Sequence, residues 1–308
     1  MELSGKTAVI TGGAGGIGLA MAQRFGREGM RLVLADVEQA ALDAAVAGLE
    51  ADGHEVIGVR TDVTRFADLE ALERAATAAF GPVHLLCNNA GVSMTGAAWE
   101  LSLDDWRWVW DVNFAGVIHG TKAFLPGMIA HGEPAHIINT GSLSSFNGIG
   151  THGPYCATKA AVLSFSQSLY SELKATRKNV GVSILAPGMV ATKINQSWRN
   201  RPEGDQPWSD REYADADFMK ASDAFQGAGI AAEQVADRVV KALEADRFYI
   251  FTNEGSEHYV AGTAGRASTG EDPYVFTWGE DLRPEAERGT PPWLSEGGEL
   301  ERPRVPGN

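Results

Sequence analysis

Near the N-terminus, KTAVITGGAGGIGLAMAQRF joins a short apolar run to an amphipathic segment through a turn made almost wholly of glycine. That junction restricts the possible folds more than any other feature. An unbroken apolar run such as TAVIT reads as a strand buried on both faces, the habit of parallel sheets covered by helices. Glycines 12, 16 and 18 permit a tight turn and let backbone N–H groups approach an anion at the start of the next helix. A glycine-rich turn taken alone is equally compatible with a purely structural role. The strand before it and the helix after it supply the context of a pyrophosphate cradle. The further strand-like runs RLVLAD, VHLLCNN, AHIINTGS, SILAPG and RFYIF alternate with helical stretches. An α/β fold is therefore expected, with a doubly wound parallel sheet of roughly seven strands and helices on both faces. A β/α barrel is the alternative, but the chain lacks an eighth strand–helix unit and a barrel leaves the first glycine turn unexplained.

The second strand, RLVLAD, ends at Asp36, eighteen residues past Gly18. A carboxylate there accepts hydrogen bonds from ribose hydroxyls and repels a 2′-phosphate. Neither Gly15 nor Val37 supplies a cation to offset that repulsion. NAD is the expected cofactor and NADP the less favoured one.

A second constellation lies in IINTGSLSSFNGIGTHGPYCATKA. Tyr155 and Lys159 are four apart in a helical segment, so they share a face and an ammonium can sit close to a phenol. A free tyrosine has a pKa of about 10, too high for a base near neutrality. A nearby cation lowers it, towards the range that proton-transfer catalysis needs. Ser142 lies thirteen residues upstream of Tyr155, at the end of an apolar strand, where its hydroxyl can meet a substrate oxygen. The spacing Tyr-x-x-x-Lys recurs at Tyr170 and Lys174 in the same helix. Fifteen residues at 1.5 Å each put Tyr170 roughly 22 Å from Tyr155, so the two cannot serve one site. Position 157, thirteen before Tyr170, is alanine. Tyr170 is expected on a helix surface or interface.

Over residues 3–250 the chain resembles the short-chain dehydrogenase/reductase family. TGGAGGIG fits both TGxxxGxG and TGxxGxxG, because Gly15 and Gly16 are both glycine. Asn88-Asn89-Ala90-Gly91, Asn113, Ser142, Tyr155, Lys159 and LAPGMVAT then match the compact branch in order and spacing. The resemblance implies a Rossmann-type NAD-binding and catalytic domain over residues 1–252. It makes Tyr155 the acid/base, gives Lys159 the nicotinamide ribose, and has Ser142 position the substrate oxygen. Asn113 would hold a water linking Lys159 to solvent. Gly12, Gly16, Ile17 and Gly18 would cradle the pyrophosphate, and Asp36 would meet the ribose. Asp62 and Val63 would edge the adenine, with Asn89, Ala90 and Gly91 near its ribose. Val190 and Thr192 would meet the carboxamide. Bland alternatives stand beside these roles: Asp62 as a helix cap, Asn113 as a helix-bend residue, Thr192 as a loop hydroxyl.

The net charge of −14 argues against any general affinity for nucleic acid or anionic membranes. No apolar run approaches the roughly 20 residues of a membrane span. The first strand begins almost at once, which leaves no room for a signal peptide. Both cysteines, Cys87 and Cys156, are expected as reduced thiols in a cytoplasmic enzyme. No metal site is expected. Residues 193–230 fall where the family places its substrate lid and carry Trp198, Trp208, Tyr213, Phe218 and Met219. These side chains either close an apolar wall over a small-molecule alcohol or ketone, or anchor the lid to the body. Met94, Leu143, Phe146, Ile149 and Met189 are further pocket candidates. His152 is either a substrate contact or a helix-entry residue. Residues 253–308, acidic and proline-rich with Trp278 and Trp293, read as an extended arm. A homodimer or homotetramer packed through 104–130 and 153–178 is implied by the family. The expected function is NAD-linked interconversion of a secondary alcohol and a ketone, on a bulky apolar or aromatic substrate. The rivals are an NADPH-dependent carbonyl reductase of the same fold and a catalytically idle nucleotide sensor, which would require a damaged tetrad.

Overall fold

The apolar runs become one seven-stranded parallel sheet in the computed structural model, which describes residues 2–202 and 216–273. Its strands are β1 (Thr7–Thr11), β2 (Arg31–Asp36), β3 (Val56–Arg60), β4 (Leu85–Asn88), β5 (Ala135–Thr140), β6 (Val180–Ala186) and β7 (Tyr249–Phe251). The order is β3-β2-β1-β4-β5-β6-β7. Every residue of β1, β4 and β5 is buried, which explains why their sequences do not alternate. The sheet is the doubly wound, Rossmann-type arrangement expected. Chain order reverses between β1 and β4, and at that switch point a crevice opens beyond the carboxyl ends of the strands.

Helices cover both faces: α1 (Gly16–Arg27), α2 (Gln39–Ala51), α3 (Phe66–Phe80), α4 (Leu103–Trp110), α5 (Gly116–Ala130), α6 (Gly153–Ala175), α7 (Ala216–Gly227), α8 (Ala232–Glu244) and α9 (Ser256–Thr269). One core packs Ile10, Leu32 and Leu34 of the sheet against Phe25 of α1, Leu42 of α2 and Val239 of α8. The other packs Val9, Val33 and Leu86 against Leu69 and Leu72 of α3, Phe124 of α5 and Leu169 of α6. Ser102 starts α4 through a capping box with Asp105. Between α4 and α5 the backbone widens into a π-helical turn, Asp111–Ala115, that carries Asn113. Such turns inside α-helices concentrate at functional sites.

One expectation about the second half is corrected. The arm expected to run extended from residue 253 begins instead as helix α9. Tyr259 of that helix is buried against Leu143 and Ile149, so the segment belongs to the body. Its apolar face is only Tyr259 and Val260, too short to stand out as a periodic pattern. The expected lid is structured where it is described: a 3-10 helix, Ile194–Asn200, and then α7. Trp208 and Tyr213, the side chain of Phe218, and Trp278 and Trp293 lie outside the described residues. Tyr170 sits on α6 against Phe248, ring centroids 5.0 Å apart and 37 % exposed, a surface residue as expected.

Two glycines of α5 make opposite predictions. A Cβ on Gly120 would lie 2.1 Å from Asn88 Oδ1, whereas on Gly127 it meets only Glu73 Oε1 at 3.8 Å. Gly120→Ala must push α5 off β4, at a cost of about 1–3 kcal/mol. Gly127→Ala removes backbone freedom from the unfolded chain and gains about 0.5–1 kcal/mol. Thermal denaturation should lower Tm for the first variant and raise it for the second.

Candidate active site

The crevice is floored by the glycine turn. Gly12 has φ of +63°, a left-handed conformation that favours glycine. A Cβ on Gly18 would lie 2.0 Å from Gly12 O, so the turn closes only with glycine there. Gly15 precedes α1 without any side-chain cap, which leaves the first-turn N–H groups available to an anion. Ile17, half-buried, packs against the core beneath the turn. At the end of β2, Asp36 Oδ2 accepts from Ala14 N at 3.1 Å and Oδ1 from Glu38 N at 3.1 Å. The carboxylate is thereby held beside the turn, and each oxygen keeps a further lone pair.

The adenine-side residues are committed within the protein. Asp62 Oδ1 accepts from Thr64 N at 3.0 Å and from Thr64 Oγ1 at 2.7 Å, so its carboxylate acts as a turn cap. Val63 packs over Gly116, and its carbonyl meets His119 Nδ1 at 2.9 Å. Asn89 Nδ2 donates to Thr11 O at 3.0 Å and to Gly12 O at 3.3 Å, while Ala90 N donates to Thr11 Oγ1 at 3.1 Å. Asn89 therefore holds the glycine turn with its own side chain. Gly91 faces Lys159: a Cβ there would lie 3.3 Å from Nζ and 3.4 Å from Asn113 Oδ1.

Ser142, Tyr155, Lys159 and Asn113 converge at the end of β5. Lys159 is buried and its Nζ donates to Thr140 O at 2.8 Å. Burial lowers its pKa from 10.5 to about 8. Nζ lies 5.6 Å from the Tyr155 ring centroid. The expected lowering of the Tyr155 pKa is not what the chain by itself produces. Burial raises that phenol to about 12, and the hydrogen bond with Ser142 only partly opposes the rise. Desolvation outweighs a cation set over the ring face. Ser142 Oγ also accepts from Ser144 N at 3.1 Å. The Asn113 side chain accepts from Val92 N at 2.8 Å and donates to Val92 O and to Thr158 Oγ1. It braces the π-helical turn against the loop after β4 and against α6.

Thr192 stands over the glycine turn, its Cγ2 3.2 Å from where a Gly16 Cβ would be. Val190 is buried and bridges to Ile230 in parallel. The pocket candidates divide. Leu143 and Ile149 form a wall with Tyr259 and Val260 of α9. Met189 is buried, with its carbonyl held by Ile230 N and Asn253 Nδ2, and Trp198 is half-buried. Phe146 instead turns to β7, 5.9 Å from the Phe251 ring. Met94 is sealed among Val92, Leu101, Trp108 and Val109, because the loop after β4 folds back onto α4. His152 is buried, its Nε2 3.5 Å from Thr95 Oγ1, and burial lowers its pKa to about 4, so it is neutral.

Several contributors escaped sequence reasoning. Ser145 Oγ donates to Lys159 O at 2.8 Å and accepts from Ser142 N at 3.1 Å, tying the two catalytic candidates together. Asn253 brackets the loop after β6: its Oδ1 accepts from Gly188 N at 3.0 Å while Nδ2 donates to Met189 O at 3.3 Å. Glu38, Asp105, Arg199 and Arg201 pair across the crevice. Apart from the Ser142–Ser145 contact, each partnership spans many residues, and no local pattern signals it.

Residues 6–203 match the short chain dehydrogenase family. A 1-deoxy-11-beta-hydroxypentalenate dehydrogenase of Streptomyces exfoliatus is 38% identical over 258 residues, covering 82% of this chain and 85% of its own. The C alpha-dehydrogenase of Sphingobium sp. strain SYK-6 is 33% identical, covering 91% of this chain and 95% of its own. A short chain dehydrogenase/reductase from Burkholderia phymatum, solved in complex with NAD, superposes with a TM-score of 0.83 at 41% identity, over 89% of this chain and 98% of its own. With the glycine turn, the Ser–Tyr–Lys cluster and the sheet order in place, the chain belongs to the short-chain dehydrogenase/reductase family of oxidoreductases.

Proposed function

We propose that this protein is an NAD-dependent dehydrogenase that interconverts a secondary alcohol and a ketone, with Tyr155 as the acid/base. The observation that carries the reading is the meeting of Ser142, Tyr155 and Lys159 beside a glycine turn whose neighbouring strand ends in a carboxylate. The residues fit a dinucleotide: uncapped N–H groups for the pyrophosphate, Asp36 for the adenosine ribose, Lys159 for the nicotinamide ribose. A bound nicotinamide supplies the hydride acceptor or donor. Ser142 positions the substrate oxygen, and Tyr155 exchanges a proton with that oxygen as the carbon changes oxidation state. Lys159 remains cationic at neutral pH, since its pKa stays at about 8. Val37 offers no cation to a 2′-phosphate, and Arg199, which the fold brings to this end, is already paired with Glu38 at 2.8 Å. NAD is therefore favoured over NADP, and the cytoplasm remains the compartment we favour. Trp198 and the wall of Leu143, Ile149 and Tyr259 favour a bulky apolar or aromatic alcohol. The similarity to a hydroxypentalenate dehydrogenase supports a hydroxylated organic substrate.

Tyr155→Phe keeps the ring but removes the exchangeable proton. With NAD and a panel of secondary alcohols, kcat should fall by about 10²–10⁴-fold. Tyr170→Phe should leave it near the parent value. A Tyr155→Phe enzyme within tenfold of the parent, or a parent that prefers NADP, defeats the corresponding part of the reading.

The Tyr155 shift predicts different pH slopes for the two directions of reaction. Tyr155 is protonated at neutral pH, as carbonyl reduction requires, whereas alcohol oxidation needs that proton removed first. Initial rates of oxidation should rise from pH 7 towards pH 10, and rates of reduction should not. Linkage at Lys159 adds a sign for stability. Its folded pKa lies below 10.5, so the native state binds fewer protons between about pH 8 and 10.5. Its destabilising contribution is complete below about pH 8 and fades as the pH rises through that window.

A homodimer or homotetramer packed through α4–α5 and α6 belongs to the same reading. Trp110 (45 % exposed) and Tyr170 lie on these helices, and Trp110 contacts Phe114, which in turn meets Phe165 edge-on. Exposed aromatics that continue a buried ladder suit an interface. Light scattering on the full chain should give two or four times the 32.8 kDa monomer mass. A monomer would defeat the interface.

A further inference from the structure

The 3-10 helix Ile194–Asn200 runs over the crevice and touches, in turn, loops at the carboxyl ends of several strands. Thr192 stands against Gly16, where the glycine turn after β1 enters α1. Ser197 is buried, and its Oγ accepts from Ser93 N, in the loop after β4, at 3.1 Å. Arg199 Nε and Nη2 donate to Glu38 Oε1, in the loop after β2, at 3.1 and 2.8 Å. Asn200 Nδ2 reaches the same oxygen at 2.7 Å. Arg201 Nε donates to Asp105 Oδ1 of α4 at 2.7 Å. The loops so joined are those that surround the nucleotide crevice, and the segment forms a strap across it.

The two ends of the strap differ in strength. Arg201 and Asp105 are 6% and 0% exposed, so that pair is a lasting anchor whose rupture would leave an uncompensated buried charge. Arg199 and Glu38 are 37% and 33% exposed, within reach of water and salt. The Glu38 carboxyl is held below the usual carboxylate range, chiefly by the Arg199 hydrogen bond, so the clasp is charged at neutral pH. Glu38 is also placed by the ribose-side carboxylate, since its N–H donates to Asp36 Oδ1. A strap fixed at one end and clasped at the other opens at the clasp.

We propose that Glu38 is a positioning residue: by clasping Arg199 and Asn200 it holds the strap over the bound dinucleotide, and the cofactor leaves when that clasp opens. This rests on the dinucleotide reading of the crevice. Glu38 takes no part in hydride or proton transfer. Its effect falls on how long the cofactor stays.

The test is stopped-flow displacement of NADH from the full-length protein, followed by NADH fluorescence, for the parent, Glu38→Gln, Arg199→Ala and the double variant. Each single substitution should raise the NADH dissociation rate about two- to fivefold, the upper range of an exposed ion pair read through dissociation. The double variant should fall short of the sum of the single effects, because both remove the Glu38–Arg199 pair although Arg199→Ala also deletes the Nη1 bonds to Lys193 O and Gln196 O. Raising the salt concentration should speed release from the parent and leave Glu38→Gln little changed. Limited trypsin digestion of the cofactor-free protein should cut faster after Lys193 or Arg199 in Glu38→Gln. Dissociation rates and cleavage equal to the parent's, or effects that simply add, overturn the clasp. A parent that binds neither NADH nor NADPH overturns the dinucleotide reading instead, so the two failures are distinct.

Discussion

The hydroxyl and carbonyl of Thr11, at the carboxyl end of β1, hold the crevice together. Thr11 Oγ1 accepts from Asn89 N at 2.9 Å and from Ala90 N at 3.1 Å, while its carbonyl accepts from Asn89 Nδ2 at 3.0 Å. At the switch point β1 and β4 diverge into separate loops, and their backbone groups lose ladder partners. Leaving such groups buried without partners would cost about 1–3 kcal/mol each. Asn89 satisfies them and extends the chain of contacts. Its Nδ2 also reaches Gly12 O, and its Oδ1 accepts from Thr140 Oγ1 of β5 at 3.3 Å. The Thr140 carbonyl in turn receives the ammonium of Lys159. One polar chain thus runs from the glycine turn to Lys159, and the distance between that turn and the Ser–Tyr–Lys cluster is set by hydrogen bonds rather than by flexible loops.

That chain ends in a buried charge. Burial of Lys159 costs solvation, visible in its lowered pKa, and nearby Tyr155 is pushed the other way by the same desolvation. At neutral pH the pair is an ammonium and a neutral phenol, and the two opposite shifts leave that charge state unchanged. Asn113 and the π-helical turn supply the rigidity. The side chain is spent on Val92 and Thr158, and α6 is thereby tied to the loop after β4. A looser arrangement would let water in and relax both shifts.

What the sequence made legible follows from the range of each interaction. The strands announced themselves because both faces of a parallel sheet are buried, so each strand is an unbroken apolar run. The glycine turn and the Tyr155–Lys159 pair are local, set by spacings of two to four residues along one element. Asp36 was legible because a strand ends on it. Asp62 had a helix cap as its open alternative, but α3 starts after Arg65 without a side-chain cap and the carboxylate closes a local turn onto Thr64 instead. The unreadable residues are those defined by partners far along the chain. Glu38 meets Arg199 across 161 residues and Asp105 meets Arg201 across 96. Asn253 and Gly188 are 65 apart. In a chain with this many acids, no spacing distinguishes Glu38 from its neighbours. The same holds for α9, whose burial depends on a wall, Leu143 and Ile149, that exists only once β5 and α6 are in place.

This division of range separates the chemistry from the specificity. Asn253 shows the coupling most directly. Its amide grips both sides of the Gly188–Met189 peptide, and the preceding Pro187 carbonyl accepts from Leu143 N at 2.9 Å. Ser142, the candidate for the substrate oxygen, is therefore positioned from β7 through the loop after β6. Leu143, next in sequence, is covered by Tyr259 of α9, which begins three residues past Asn253. The segment after β7 holds the Ser142 loop with one residue and covers Leu143 with the helix that follows. Substitutions in α9 can then be made without disturbing the polar chain from Thr11 to Lys159, because the two share backbone anchors and no side chain.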